Sequence, residues 1–249
     1  MNLLPKRLMS AEPGEIAPVA LLAGDPLRAE YIAGEFLEGA RRYSDEREMY
    51  GFTGLYRGRP VSVQGSGMGV ASMTAYATRL MEDYGVKTLI RIGTCGSNHP
   101  DTHLRDVILA TGASMESGTT AREFPDCDFV PTADFGLLRQ AWRIAGELSI
   151  PVRVGPVVTG DLLHREPEEE ARIAERWARY GMLGAEMEAA GLYVAASRRP
   201  DVRALAILTC SDHALYRVET THEEREKSFR DMMRIALELA WKQYGEGAQ

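Results

Sequence analysis

The sequence is poor in the features that mark several protein classes. Only three cysteines occur in 249 residues, Cys95, Cys127 and Cys210. They are too few and too widely spaced for a disulfide framework, and they form no metal motif, so a cytoplasmic protein without a bound metal is expected. No apolar run approaches the roughly 20 residues of a membrane span, and residues 1–8 carry no apolar core of a secretory signal. Positive charge does not dominate. The net charge of -7 argues against the broad basic surface of a nucleic-acid binder, but leaves room for a local cationic pocket. Repeats, linkers and low-complexity segments are missing too. What is there is an ordinary globular composition, 45% hydrophobic and 26% charged, enough for one domain over residues 1–249.

Strand and helix signals alternate from end to end, as in an α/β protein. Residues 19–23 are a short apolar run, expected to be a strand buried on both faces. Gly24-Asp25-Pro26 turns it into a helix over residues 26–37, with Leu27, Tyr31 and Ile32 inward. Residues 41–65 read as antiparallel β, with a turn at Arg57-Gly58-Arg59. Gly65-Ser66-Gly67-Met68-Gly69 misses the dinucleotide fingerprint, because its last glycine comes one place early. The helix after it should bury Met73, Ala77, Leu80 and Met81. Further strands are expected at residues 86–92, 107–111, 152–159 and 204–209. Residues 112–133 have no clear period. A helix over residues 134–148 should bury Leu138, Ala141, Trp142 and Ala145, and an acidic, solvated helix should span residues 165–178. The capping box Thr221-x-x-Glu224 should open the last helix, whose stripe is Phe229, Met232, Met233, Ala236 and Leu237. The sheet should be largely parallel and covered on both faces.

Three places carry chemistry. Gly24 and Arg28 stand where a strand meets a helix, so free amides, a positive helix end and a guanidinium come together for an anion. The alternative is a surface arginine. Arg91 lies in a buried strand pattern before Gly93-Thr94-Cys95-Gly96 and needs an anionic partner, either an internal carboxylate or a ligand. Gly24 and Thr94 both mark carboxyl ends of strands, where open α/β sheets bind ligands. The third place is Gly184-Ala185-Glu186-Met187-Glu188-Ala189-Ala190-Gly191. If residues 183–187 end a strand, Glu186 and Glu188 point the same way, and a carboxylate suits a vicinal diol. If they begin a helix, the acids serve its dipole.

Four segments then carry a resemblance: Gly24-Asp25-Pro26-Leu27-Arg28-Ala29, Arg91-Ile92-Gly93-Thr94-Cys95-Gly96, Glu186-Met187-Glu188-Ala189-Ala190-Gly191 and Ser211-Asp212-His213. In order and spacing the chain resembles the nucleoside phosphorylases, and most closely the bacterial purine nucleoside phosphorylases of the hexameric type, from about residue 12 to residue 239. The resemblance implies a three-layer α/β/α sandwich around a mixed, partly barrel-like sheet. It implies phosphorolysis of purine nucleosides to free base and pentose 1-phosphate, the chemistry of purine salvage, with inorganic phosphate as co-substrate and no cofactor.

The resemblance also implies roles. Gly24, Arg28, Arg91 and Thr94 would bind phosphate, joined by Arg47 of a neighbouring subunit in a hexamer built as a trimer of dimers. Glu186 and Glu188 would hold the ribose, with Met187 packed on the sugar. Ser211 and Leu163 would border the base. Asp212 would protonate the purine N7, assisted by Arg225; read alone, Asp212 is equally a turn or cap residue. Two departures stand out. Leu162-Leu163-His164 replaces an aromatic pair, and Leu8 falls where the family often has a histidine for the neighbour's 5′-hydroxyl. Three other readings bear on the same motifs. A uridine phosphorylase would need Gln and Arg where this chain has Pro167 and Glu169. A nucleosidase should lack the Gly24 to Arg28 motif. A nucleoside sensor would not need the acid.

Overall fold

The computed structural model describes residues 8–97, 99–120, 124–163, 166–225 and 229–245. Ten strands form one sheet: β1 Val19–Ala23, β2 Glu38–Ser44, β3 Gly51–Tyr56, β4 Arg59–Gly65, β5 Thr88–Ser97, β6 Val107–Met115, β7 Val152–Thr159, β8 Ala185–Glu186, β9 Arg203–His213 and β10 Val218–Glu219. Their order is β10-β9-β6-β7-β8-β5-β1-β4-β3-β2. A further pairing of β9 with β5 closes β5, β9, β6, β7 and β8 into a ring, so half of the sheet is a small barrel and the other half an open wing. The sheet is mixed. β1 is parallel to β4 and β5, β5 to β9, and β6 and β8 to β7. The hairpin strands of the wing are antiparallel, as are the β6–β9 and β5–β8 pairs that let the barrel close.

Alternation of side chains splits the core into two layers. Val19, Leu21 and Ala23 face α1 (Pro26–Phe36), α3 (Phe135–Glu147) and α6 (Arg230–Lys242). Ala20 and Leu22 face α2 (Val70–Glu82) and α5 (Ala189–Ser197). Each fully buried leucine of β1 contributes about 1.5–3 kcal/mol relative to exposure. The remaining helix, α4 (Pro167–Arg179), belongs to neither layer, and of its residues only Ala174 is buried.

Several sequence expectations shift. β5 runs on to Ser97 and β6 to Met115, because each keeps a ladder partner beyond its apolar run. α3 buries Ala141 and Ala145 as expected, but Leu137 and Ile144 complete the face, with Leu138 only partly buried and Trp142 exposed. In α1, Leu27 is exposed and Arg28 is buried with Ala29, Ile32 and Ala33. The Thr221–Glu224 capping box forms, with Glu224 N–H donating to Thr221 Oγ1 at 3.2 Å, and helical backbone follows it over residues 222–225; the helix that carries the stripe, α6, starts at Arg230, after the non-helical Phe229. Arg47 lies not in a strand but in a 3₁₀ turn, Glu46–Glu48, with φ of 58°. His164 lies outside the described residues.

Candidate active site

The carboxyl ends of β1 and β5 are neighbours, because the two strands pair in parallel with Ala23 opposite Ile92. Asp25 caps α1 by accepting from Leu27 N–H at 2.9 Å. Arg28 follows in the first turn. It is not a surface residue: its Nε and Nη2 donate to the Arg225 carbonyl at 3.1 and 2.8 Å. Arg91 is 3% exposed. Its Nε donates to Glu186 Oε2 at 3.0 Å, and its Nη2 pairs with Glu188 Oε2. Its Nη1 is buried without a hydrogen-bond partner among the described residues and lies 3.9 Å from where a Gly24 side chain would begin. Leaving a buried charged donor unpaired is costly, more than the 1–3 kcal/mol of a neutral group. The internal-carboxylate reading of Arg91 is met twice over, and one nitrogen remains beyond those two partners. A side chain at Gly93 would start 2.6 Å from Arg91 Nη2, so only glycine leaves the guanidinium this position. Burial alone would lower the Arg91 pKa, but the Glu188 and Glu186 charges outweigh it and raise it, so the group stays a cation.

The two carboxylates of residues 184–191 do different things. The strand β8 covers only Ala185–Glu186, and α5 begins at Ala189, so each sequence reading of this segment is half met. Glu186 accepts from Arg91 Nε, from Thr159 Oγ1 at 2.5 Å, from Glu188 N–H at 2.8 Å, and from Ala189 N–H on both oxygens. Its lone pairs are taken up by the protein, and it serves the helix end and the arginine. Burial pushes its carboxyl up, as does the nearby Glu188 charge, against the pull of Arg91 and Thr159. Glu188 is lighter in partners. It accepts from Gly69 N–H at 2.6 Å on one oxygen and from Arg91 on the other. Each oxygen keeps a lone pair, and Glu188 lines the cleft. The glycine run at residues 65–69 thus serves as a backbone donor to a carboxylate.

Asp212 owes its position to a bulge. Cys95 pairs with Cys210 and Gly96 with Asp212, so Ser211 is an extra residue on β9. Bulges re-aim side chains next to active sites. Ser211 is buried and its hydroxyl donates to Asp212 Oδ2 at 2.8 Å. A side chain at Gly96 would start 2.5 Å from Asp212 Oδ1, so glycine there makes the room. Cys95 also lines the cleft, but burial pushes its thiol well up, so it offers no thiolate.

These groups share one open cleft of about 530 Å³, within the range of small-molecule sites. Gly24, Arg28, Arg91 and Thr94 line one end. Met187, Glu188, Ser211 and Asp212 follow, and Leu163 lines the other end. Arg225 also borders the cleft, yet its guanidinium turns to Glu219 and Thr220, at 3.1 and 3.4 Å, and the hydrogen bonds it makes do not include Asp212. Arg47 does not line this cleft; it is exposed. A larger hollow of about 930 Å³, bounded mainly by residues 111–115 and 124–132, contains no arginine among its described lining residues. Among the described residues no group of three or more His, Cys, Asp or Glu is placed to hold a metal ion.

One wall of the cleft escaped the sequence reading. Ile173, Ala174 and Trp177 of α4 face it beside Leu162, Leu163 and Met182. Trp177 is its only Phe, Tyr or Trp ring among the described lining residues. The spacing i, i+1, i+4 was the available signal, hidden under the acids of Glu168–Glu170.

A model of the phosphorylase superfamily matches residues 18–242. The chain belongs to that superfamily. It is 51% identical over 233 residues to a protein of Geobacillus kaustophilus described as "Purine nucleoside phosphorylase DeoD-type", covering 93% of this chain and 96% of that protein. Proteins of the same description from Clostridium novyi and from Caldanaerobacter subterraneus are each 48% identical over 232 residues, 93% of this chain and 98% of theirs. The superfamily match spans both cleft ends, from Gly24 to Arg225. Among the described residues no helix is long and apolar enough to cross a membrane.

Proposed function

We propose that this chain is a purine nucleoside phosphorylase, a pentosyltransferase that converts a purine nucleoside and phosphate to the free base and pentose 1-phosphate. The observation that carries the reading is the buried Arg91, with one unpaired nitrogen facing Gly24 and its other two held by Glu186 and Glu188. Phosphate is held by Gly24, Arg28, Arg91 and Thr94. Guanidinium groups suit a phosphate because each can bind two of its oxygens. Glu188 receives the ribose hydroxyls. Glu186, saturated already, positions rather than binds. A phosphate oxygen attacks C1′ as the C1′–N9 bond breaks, and the bonding pair leaves with the base. The proton on Asp212 passes to N7 and neutralises that base. Phosphate beside the sugar stabilises the positive charge developing at C1′. Met187 packs on the sugar, and the base is bordered by Ser211, Leu163 and Trp177. No cofactor takes part, and the free cysteines fit a cytoplasmic enzyme.

The test is consumption of inosine, adenosine and uridine with and without phosphate. Purine nucleosides should disappear only with phosphate. Equal rates without it identify a hydrolase, and uridine as the best substrate identifies a uridine phosphorylase.

The working form is a homo-oligomer, a hexamer of three dimers, in which Arg47 completes the neighbour's phosphate site. Arg47 and Glu48 both hold left-handed backbone, with φ of 58° and 61°. Such strain in residues with side chains costs of order 1–3 kcal/mol each and gathers at functional sites. Mixed assembly tests this: subunits carrying Arg47→Ala or Asp212→Asn, each nearly inactive, should regain activity together. No gain over the sum of the two excludes a shared site.

A further inference from the structure

Thr159 ends β7, is fully buried, and is not among the residues lining the cleft. Its hydroxyl nevertheless makes two bonds at the centre of the site. It donates to Glu186 Oε1 at 2.5 Å and accepts from Ala190 N–H at 3.0 Å. It thereby ties the Glu186 carboxylate to the first turn of α5. The other oxygen of that carboxylate accepts from Arg91 Nε at 3.0 Å. A carboxylate fixed in its plane fixes the direction of the N–H it receives, and a guanidinium is planar, so the direction of Nε sets that of Nη1. Nη1 is the nitrogen with no hydrogen-bond partner among the described residues, on the Gly24 side.

We propose that Thr159 is a positioning residue for phosphate: acting through Glu186, its hydroxyl holds Arg91 so that Nη1 faces the anion. The inference rests on the phosphorylase reading and adds to it a residue that no substrate can touch. Alternative donors cannot replace the hydroxyl. Among the described residues Glu186 Oε1 has, besides Thr159, only the Ala189 N–H, which it shares with Oε2. Without the hydroxyl the carboxylate can turn, and the Ala190 N–H loses its acceptor in a buried place.

The test is steady-state kinetics of Thr159→Val and Thr159→Ser, varying phosphate and inosine separately, with phosphate binding to the nucleoside-free protein measured by calorimetry. Hydrogen bonds to charged groups predict a phosphate KM and Kd raised on the order of 10-fold in Thr159→Val, an inosine KM within about two-fold, and restoration to within about three-fold by Thr159→Ser. Lowered thermal stability with an unchanged phosphate Kd would make Thr159 merely structural and overturn the inference. An equal rise in both KM values overturns it as well. Should Thr159→Val fail to fold, Thr159→Ala carries the same comparison. Cleavage by the unmutated protein that ignores phosphate would sink the functional reading and this inference together; phosphate-dependent cleavage with an unaltered phosphate KM in the variant sinks the inference alone.

Discussion

The two ends of the cleft are built on opposite principles. At the proposed phosphate end Arg28, Arg91, Glu186 and Glu188 are all buried, and the hydrogen bonds of the last three tie strands, a helix start and a glycine turn into one network. At the base end Leu162 and Leu163 are 60% and 59% exposed, and α4 stands away from both core layers. The proposed function, with phosphate at one end and the base at the other, gives the difference a reason. A buried charge is tolerated only with its partners in place, so the phosphate end has to be rigid before the ligand arrives. A purine presents apolar faces, and apolar contact is non-directional, so leucines and one indole on a loosely attached helix suffice. Precision is concentrated where charge is handled.

That contrast can be broken by experiment, beginning where the effect should be largest. Asp212→Asn removes the proton while keeping the shape, so kcat should fall on the order of 10²–10⁴-fold with substrate KM little changed. Near-normal turnover on every purine nucleoside would take Asp212 out of the chemistry. Gly96→Ala adds one methyl that would start 2.5 Å from Asp212 Oδ1. Moving a reacting group by about 1 Å costs on the order of 10²-fold, so kcat should drop by about that factor in a folded protein. An active Gly96→Ala enzyme would show that the bulge can absorb the clash.

Glu188→Ala comes next. Charged hydrogen bonds are worth about 1.5–3 kcal/mol, so kcat/KM on ribosides should fall roughly 10- to 100-fold. The loss on 2′-deoxyribosides should be smaller, since one hydroxyl is already gone. Equal losses on both would mean that Glu188 acts only by holding Arg91. The smallest effect belongs to the base end. Leu163→Phe supplies an aromatic face beside Trp177, and such pairs add about 0.5–1.5 kcal/mol, so the nucleoside KM should improve only a few-fold. A 100-fold response there would contradict the view of that end as a tolerant apolar wall.

Much of this was legible in the residues. An apolar run with a flanking turn located β1, because a strand buried on both faces needs an unbroken apolar sequence. The stripe of α6 was readable in full, since Phe229, Met232, Met233, Ala236 and Leu237 are all buried. Arg91 announced itself as a charge inside a strand, and the pair Glu186 and Glu188 as acids in an apolar run. The misplacements share a cause. Trp142 and Leu27 looked inward because they are apolar, yet a helix face is chosen by what lies opposite it. Arg47 looked like part of a strand because its turn is made by backbone hydrogen bonds, with Glu48 N–H to the Asp45 carbonyl at 2.9 Å, which leave no composition signal.

The sequence by itself determined the alternation of strands and helices, the two-sided sheet, and the residue types at each end of the cleft, because periodicity and burial cost act along the chain. It could not divide the labour between Glu186 and Glu188. The two acids stand two residues apart in the same apolar context. Their difference comes from neighbours 27 and 119 positions away, the Thr159 hydroxyl on one and the Gly69 amide on the other. Nor could it foresee that β5 and β9 pair across a bulge and close a barrel. Only that closure brings Gly96 against Asp212, and only tertiary packing leaves one nitrogen of Arg91 without a partner. Hydrogen-bond partners remote in sequence are chosen by the folded geometry, and the chemistry of this site is written in them.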